Sequence, residues 1–314
     1  MLADAAQATN NFEVSGCFAR TSETRASFGE RYNCTSHDSL ETLLASDIDG
    51  VVVATPHLSH ADLVVAAAEA GKHVFVDKPL TVELSEADRA IAAADNAGVV
   101  LQVGHNRRRQ PANRRIKEWV RSGELGSVVE VGAIHVAPLL FNPGLPQWRR
   151  QRVENPVGGM AALGVHQVDT FHYLAGPISG VFVLSHRTQA DGEVDDVSSI
   201  VFQFASGAHG HLLTSLVSGP AVEVSVYGTE AIARNTADGA SLTRQARGSA
   251  DQESIPIAPL DTIADELDEF ARSIRGEAVP ETDGKEARRV VAVLEAITES
   301  AETGQWASVT YPGD

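Results

Sequence analysis

The sequence predicts an α/β domain built on a parallel sheet, followed by an α+β domain with an antiparallel sheet. Three observations carry that reading. Up to about Gln110, short apolar runs alternate with helical patterns, the signature of a parallel sheet with right-handed crossovers. Beyond it, the runs between Val181 and Val226 alternate more weakly and are punctuated by glycines, as antiparallel strands are. Two helical patterns, Ile263 to Arg275 and Glu286 to Thr303, then close the chain.

In order, FEVSGCF (Phe12 to Phe18) reads as a strand. Ser22 to Tyr32 has helical spacing, with Ser22 as its candidate cap. Ser39 to Leu44 is a short helix. Val51 to Thr55 is a continuous apolar run, expected of a parallel strand buried on both faces. His60 to Gly71 is an alanine-rich helix stopped by its glycine. HVFV is the next strand, Ser85 to Gly98 the next helix and Val99 to Gly104 the next strand. A helix, PANRRIKEWVRSG, then leads into the strand VVEVGAIHV. The boundaries drawn are a nucleotide-binding domain at 1–109 and a substrate and oligomerisation domain at 110–314. The closing helices are expected to pack back on the first domain.

Composition narrows the function. The 314 residues are long enough for two domains. With 25 basic and 42 acidic residues, the formal net charge is −17, which argues against nucleic acid or an anionic membrane as partner. No apolar run has the length of a membrane span. The opening residues lack the basic end and apolar stretch of a signal peptide. Cys17 and Cys34 are the only cysteines, the pattern of reduced thiols in the cytoplasm.

Three polar segments follow successive parallel strands: TPHLSH, DKP and GHNRRR. The carboxyl ends of such strands line a cleft. Thr55, His57, Lys78, His105 and Asn106 therefore converge on a candidate small-molecule site. A lone lysine after a strand reads equally as a solvated strand end. Three polar strand ends together favour a site.

These residues resemble the Gfo/Idh/MocA oxidoreductases, NAD(P)-dependent dehydrogenases of sugars, inositols and related polyols. Asp77-Lys78-Pro79 resembles the family's Glu-Lys-Pro element, and Thr55-Pro56-His57-Leu58-Ser59-His60 its Thr-Pro-Asn-x-x-His element. GGMAALGVHQVDTFHYLAG resembles its active-site helix, with Gly164, His166 and Asp169 as the core. The resemblance spans nearly the whole chain. It implies a Rossmann-type first domain, a large, mostly antiparallel open sheet in the second and a homo-oligomer, dimer or tetramer, formed on that sheet. Lys78 and His166 are the catalytic residues it implies. Thr55, Pro56, His57, His60, Asp77, Lys78 and His105 would bind cofactor, and Asn106, Trp148, Arg149 and Asp169 substrate. No metal is expected.

Two departures stand out. The family opens with a strand and a glycine-rich turn that holds pyrophosphate. Here Met1 to Ala6 looks like the middle of the helix after that turn. The chain is thus expected to be truncated, to have an open sheet edge beside its first strand and to bind NADP(H) weakly. Secondly, an aspartate common in the family one helical turn before the histidine is replaced by Ala162. Asp169, three residues after His166, lies close enough on one helix face to orient it. On its own, His166 reads as a core histidine. With Lys78 and the preceding Gly158-Gly159 it reads as functional. His135 and His172 have no motif support and read as structural.

NAD-binding folds carry an acid after the second strand. Here Ala19 stands in its place, followed by Arg20, Thr21 and Ser22. An arginine and two hydroxyls suit a 2′-phosphate, so NADP is favoured over NAD. Two other readings stay open: a non-catalytic pseudoenzyme or partner subunit, and a lyase or glycosidase that uses bound nicotinamide transiently.

Overall fold

The computed structural model describes residues 2–189 and 191–311. Met1 and Asp314, the outer limits of the two expected domains, lie outside them.

Parallel pairing dominates the first third. β1 (Gly16–Cys17) pairs with β2 (Thr35–Ser36). A separate three-stranded sheet holds β3 (Gly50–Val53), β4 (His73–Val76) and β5 (Leu101–Val103) in that order. β4 is its middle strand, and Val74, Phe75 and Val76 are all fully buried. β3 corrects the sequence reading. Only β4 bonds to it, so it is an edge strand among the described residues, and Val52 is 40% exposed. Of the expected strand Phe12 to Phe18, only Gly16 and Cys17 pair.

The helices follow the pattern more closely. α1 (Leu2–Ala8) buries Ala5 and Ala6. α2 (Ser22–Tyr32) is capped by Thr21, whose hydroxyl accepts from the Thr24 N–H at 3.3 Å. Ser22 is the first helical residue and not the cap, because the capping side chain must stand outside the helix to reach the third backbone N–H. α3 (Leu40–Leu44) has a reciprocal Ser39/Thr42 capping box. α4 (His60–Glu69) and α5 (Leu84–Ala97) flank the sheet through alanines, and Gly98, at φ +67°, ends α5 in the left-handed region.

α6 (Pro111–Ser122) leads into the second sheet. Its nine strands are β6 (Val128–Val136), β7 (Ile178–His186), β8 (Val197–Phe204), β9 (His209–Ser215), β10 (Ala221–Gly228), β11 (Ala231–Thr236), β12 (Ser241–Ala246), β13 (Glu253–Ile255) and β14 (Ala307–Ser308). They lie in the order β13-β12-β11-β10-β6-β9-β8-β7-β14, and only β6 and β9 run parallel. β8 shows why one face is covered. Ile200, Phe202 and Phe204 point inward and are buried, whereas Ser199, Val201 and Gln203 point outward. α7 (Val165–Ala175) lies on the inner face, where the Phe171 ring meets Phe202 edge-on at 5.5 Å. Burying such a side chain contributes about 1.5–3 kcal/mol.

The closing helices join the two halves. α8 (Thr262–Ile274) packs Leu267 and Phe270 against Ala5, Ala6 and Phe75. α9 (Gly284–Thr303) gives Ala287 and Val291 to the core around the first sheet. Its Val290, Val293, Leu294 and Ile297 go to the core of the second.

Candidate active site

Lys78 follows β4 at the seam between the halves. The Asp77 carboxylate accepts from the Lys78 backbone N–H at 2.9 Å and so fixes the loop. The Lys78 ammonium donates to the Ala162 carbonyl at 2.6 Å. That carbonyl belongs to a single π-helical turn, Met160–Gly164, which runs directly into α7. Such turns inside helices mark functional sites more often than chance. The entry to it is strained: Val157, a β-branched residue, has φ +53° and is buried. Gly158 follows at φ +56°, where a Cβ would lie 1.9 Å from the Asp195 carbonyl oxygen. Only glycine fits there.

Burial pushes the Lys78 amine down to about 8; Asp77 opposes the shift, and Arg149 and Arg107 add to it. His166, on α7, has a buried Nδ1 with no partner among the described residues. Burial first, then the nearby Lys78 and Arg107 charges, hold its pKa well below the ordinary histidine value. It is therefore a neutral ring at physiological pH, with one nitrogen able to donate and the other to accept a hydrogen bond.

Sequence reasoning missed two neighbours. His135, on β6, is buried with its ring centroid 5.8 Å from that of His166, and Gln167 lies 3.2 Å from its Nδ1. Burial lowers its pKa to about 3. Arg107, in the 3₁₀ turn Asn106–Arg109, forks onto Asp238, which sits in the left-handed region of the β11–β12 turn. Gln110 donates to the same carboxylate at 2.9 Å. The GHNRRR run held the signal for Arg107: Arg108 and Arg109 turn inward to ion pairs, leaving Arg107 for the cleft. His135 had none, since it comes from a strand remote from every motif.

Other expected residues divide into two groups. His105 is buried, and neither ring nitrogen has a partner among the described residues; burial lowers its pKa to about 4. Thr55 is exposed at the end of β3, where its hydroxyl accepts from Ser59 at 2.8 Å. Pro56 is half-buried beside it. Arg20 is exposed. Trp148 packs edge-on to His57 at 4.9 Å, and the Arg149 guanidinium stacks on Trp148 at 4.3 Å.

The rest are tied to neighbouring elements. The His57 Nδ1 lies 2.7 Å from the Glu154 carbonyl. Asn106 donates to the Thr262 hydroxyl at 2.8 Å. His60 corrects its cofactor assignment: it is fully buried, with its two ring nitrogens within 3.0 Å of the Pro79 and Thr55 carbonyls. It ties two strand-end loops together and has no nitrogen left for a ligand. Asp169 is corrected too. It is wholly buried and bonded to Arg108 through both carboxylate oxygens, so it neither meets substrate nor orients His166. The π-turn and α7 direct it toward the 3₁₀ turn. His172, read from the sequence as structural, has its Nε2 3.1 Å from the Tyr311 hydroxyl.

Among the described residues there is no cluster of metal-ligating side chains, and no helix is long and apolar enough to cross a membrane. A wider groove lined by Val82, Arg152, Glu299 and Glu302 contains none of these site residues.

The chain is similar to 1,5-anhydro-D-fructose reductase of Ensifer adhaerens, 29% identical over 284 residues, covering 86% of this chain and 83% of the relative. D-xylose 1-dehydrogenase (NADP(+)) 2 of Haloferax volcanii is 31% identical over 281 residues, with the same shares covered. A solved structure from Desulfitobacterium hafniense, assigned as an NADPH-dependent oxidoreductase, is 27% identical. It superimposes with a TM-score of 0.92 over 98% of this chain and 93% of its own. Residues 1–105 match the model of an oxidoreductase family with an NAD-binding Rossmann fold, and residues 113–234 match the GFO/IDH/MocA C-terminal domain. With the Lys78 loop, the turn carrying Ala162 and His166 arranged as described, this chain belongs to the Gfo/Idh/MocA family of oxidoreductases.

Proposed function

We propose that this chain oxidises a secondary alcohol of a sugar, inositol or related polyol with a nicotinamide dinucleotide. One observation carries the reading: a buried amine with a pKa of about 8, held by a backbone carbonyl near a neutral histidine. When bound, the dinucleotide supplies the hydride acceptor. Lys78 receives the substrate hydroxyl, and its neutral amine takes the hydroxyl proton. The Ala162 carbonyl aims that amine. His166 passes the proton on.

The buried, unpartnered nitrogens of His105 and the exposed Thr55 fit a hydrogen-bonding ligand at the strand ends. Thr55, Pro56, His57, Asp77, Lys78 and His105 would hold the nicotinamide half, with 1–109 as the nucleotide-binding unit and 110–314 as the substrate unit. Asn106, Trp148 and Arg149 would border the substrate. Absorbance at the reduced-nicotinamide band, with a polyol panel, tests the reading. The expected result is one reduced cofactor per alcohol oxidised. Turnover without net reduction would move the assignment to a lyase or glycosidase.

NADP is the preferred cofactor on this reading. Arg20 is exposed beside the Thr21 cap, and Ala19 stands where the acid is expected after β1. The Haloferax relative is likewise named for NADP(+). Arg20→Asp removes a phosphate partner and adds a repelling charge. The ratio of kcat/KM for NADP over NAD is expected to fall about 10-fold or more. An unchanged ratio would show that Arg20 does not read the phosphate.

The outer sheet face supports a homo-oligomer. Phe182 (41% exposed), Leu184 (57%) and Val201 (49%) stand side by side on β7 and β8. Sedimentation at micromolar concentration is expected to give a dimer or tetramer, and Leu184→Glu to shift it toward monomer. A monomeric parent protein would refute this.

A further inference from the structure

Positive charge gathers around Lys78 although the chain carries −17 overall. The charges of Arg149 and Arg107 act on Lys78; Asp77 opposes them, and Asp238 is bonded to Arg107. The arginines of this region differ in what balances them. Arg107 forks onto Asp238. Arg108 bonds Asp169, and Arg109 bonds Asp265 and Glu269. Arg150 donates to the Leu140 and Asn142 carbonyls.

Arg149 is the exception. It is half-buried, yet its guanidinium has no hydrogen bond or ion pair among the described residues. Its contact is the Trp148 ring, which Trp148 keeps in place by packing against His57. Stacking offsets part of the lost hydration but supplies no counter-charge. Asp77 reaches it only at longer range, its one carboxylate acting on both Lys78 and Arg149. Arg149 also lines a small, mostly apolar recess with Leu140, Asn155, Ala162 and Leu216. Ala162 is thus common to both cations: its carbonyl holds the Lys78 amine, and the same residue lines the recess of Arg149. Arg149, with its unused donors, therefore lies next to the residue that holds the Lys78 amine.

We propose that the substrate is anionic, a sugar or polyol bearing a carboxylate or a phosphate ester, and that Arg149 binds this group while Lys78 faces the hydroxyl. The proposal rests on the dehydrogenase reading above. A guanidinium pairs with either anion through two parallel hydrogen bonds. A neutral polyol leaves the fork unmatched.

Calorimetric titration with D-gluconate, D-glucuronate and D-glucose 6-phosphate, against neutral D-glucitol and D-glucose, tests it, with and without NADP+. At least one anion is expected to bind about 10–100-fold tighter than its neutral twin. Which anion gains, carboxylate or ester, identifies the source of the charge. Arg149→Gln should erase the difference and Arg149→Lys keep part of it, with melting curves showing both variants folded. Equal binding of anions and neutral twins, no binding by any probe, or a preference untouched in Arg149→Gln would overturn the proposal. So would a loss confined to NADP+ affinity, which would give the guanidinium to the cofactor. Neutral polyols oxidised equally well by parent and Arg149→Gln would sink this proposal and leave the dehydrogenase standing. No nicotinamide reduction with any acid, ester or polyol would sink both.

Discussion

Lys78→Ala is expected to lower kcat for alcohol oxidation by ~10²–10⁴-fold, with cofactor affinity little changed. Burial brings the pKa of this amine down to about 8, near working pH. Oxidation needs its neutral form. The rate should therefore rise as pH increases through about 8, and the reverse reduction, which needs the ammonium, should fall through the same range. The variant should lose both inflections. His166→Ala should slow turnover as well. If the two side chains form one relay, the double variant will be little worse than the poorer single one, since groups acting as a unit are not additive. Near-normal turnover for Lys78→Ala, with an unchanged melting curve, would return the residue to a solvated strand end.

Period and punctuation made most of the fold legible. α2 has the bounds that its spacing predicts, because helix-forming residues continue up to Tyr32 and Asn33, at φ +52°, ends the run. The β3 run was read correctly as a strand and wrongly as buried on both faces. Apolar content reports what a strand can bury and not which neighbours it has. The Phe12 to Phe18 segment failed for a related reason: strand-like residues pair only where a partner runs alongside, and β2 offers just Thr35 and Ser36.

The site was legible where motif residues lie on one loop, as Asp77 and Lys78 do. It was not legible where the backbone carries the function. Replacement of the family's aspartate by Ala162 reads as a loss in the sequence. In the fold, the carbonyl of that same residue reaches the lysine, through a π-turn that no residue pattern announces. His135 and Asp238 come from strands and turns of the second sheet. The seam between the two halves brings Asp238 to Arg107, and the packing of α7 on the second sheet brings His135 to His166.

Asp169 gives the largest expected loss of stability. Asp169→Ala would leave Arg108, 4% exposed, without its main partner. Removing one member of a buried ion pair typically costs about 3–5 kcal/mol. The Glu286 carboxylate, 3.4 Å from Arg108, and the Glu281 carbonyl at 3.2 Å remain to take part of the charge, which favours the lower end. A drop in Tm on the order of 10 °C is expected. Burial alone would raise the Asp169 pKa, but Arg108 outweighs it, and the carboxyl is held below its ordinary 3.8. Its contribution is thus complete above about pH 4 and is lost as pH falls through the lowered folded value. The difference in unfolding free energy between parent and variant should shrink in that acid range and stay flat near neutrality. Replacing both partners, Arg108→Met with Asp169→Leu, should recover much of the loss, because the penalty is that of an unpaired charge. Activity separates this role from the orientation of His166. At a temperature where Asp169→Ala is fully folded, kcat should stay within a few-fold of the parent. A large fall in kcat with an unchanged Tm would instead place Asp169 in the catalytic relay.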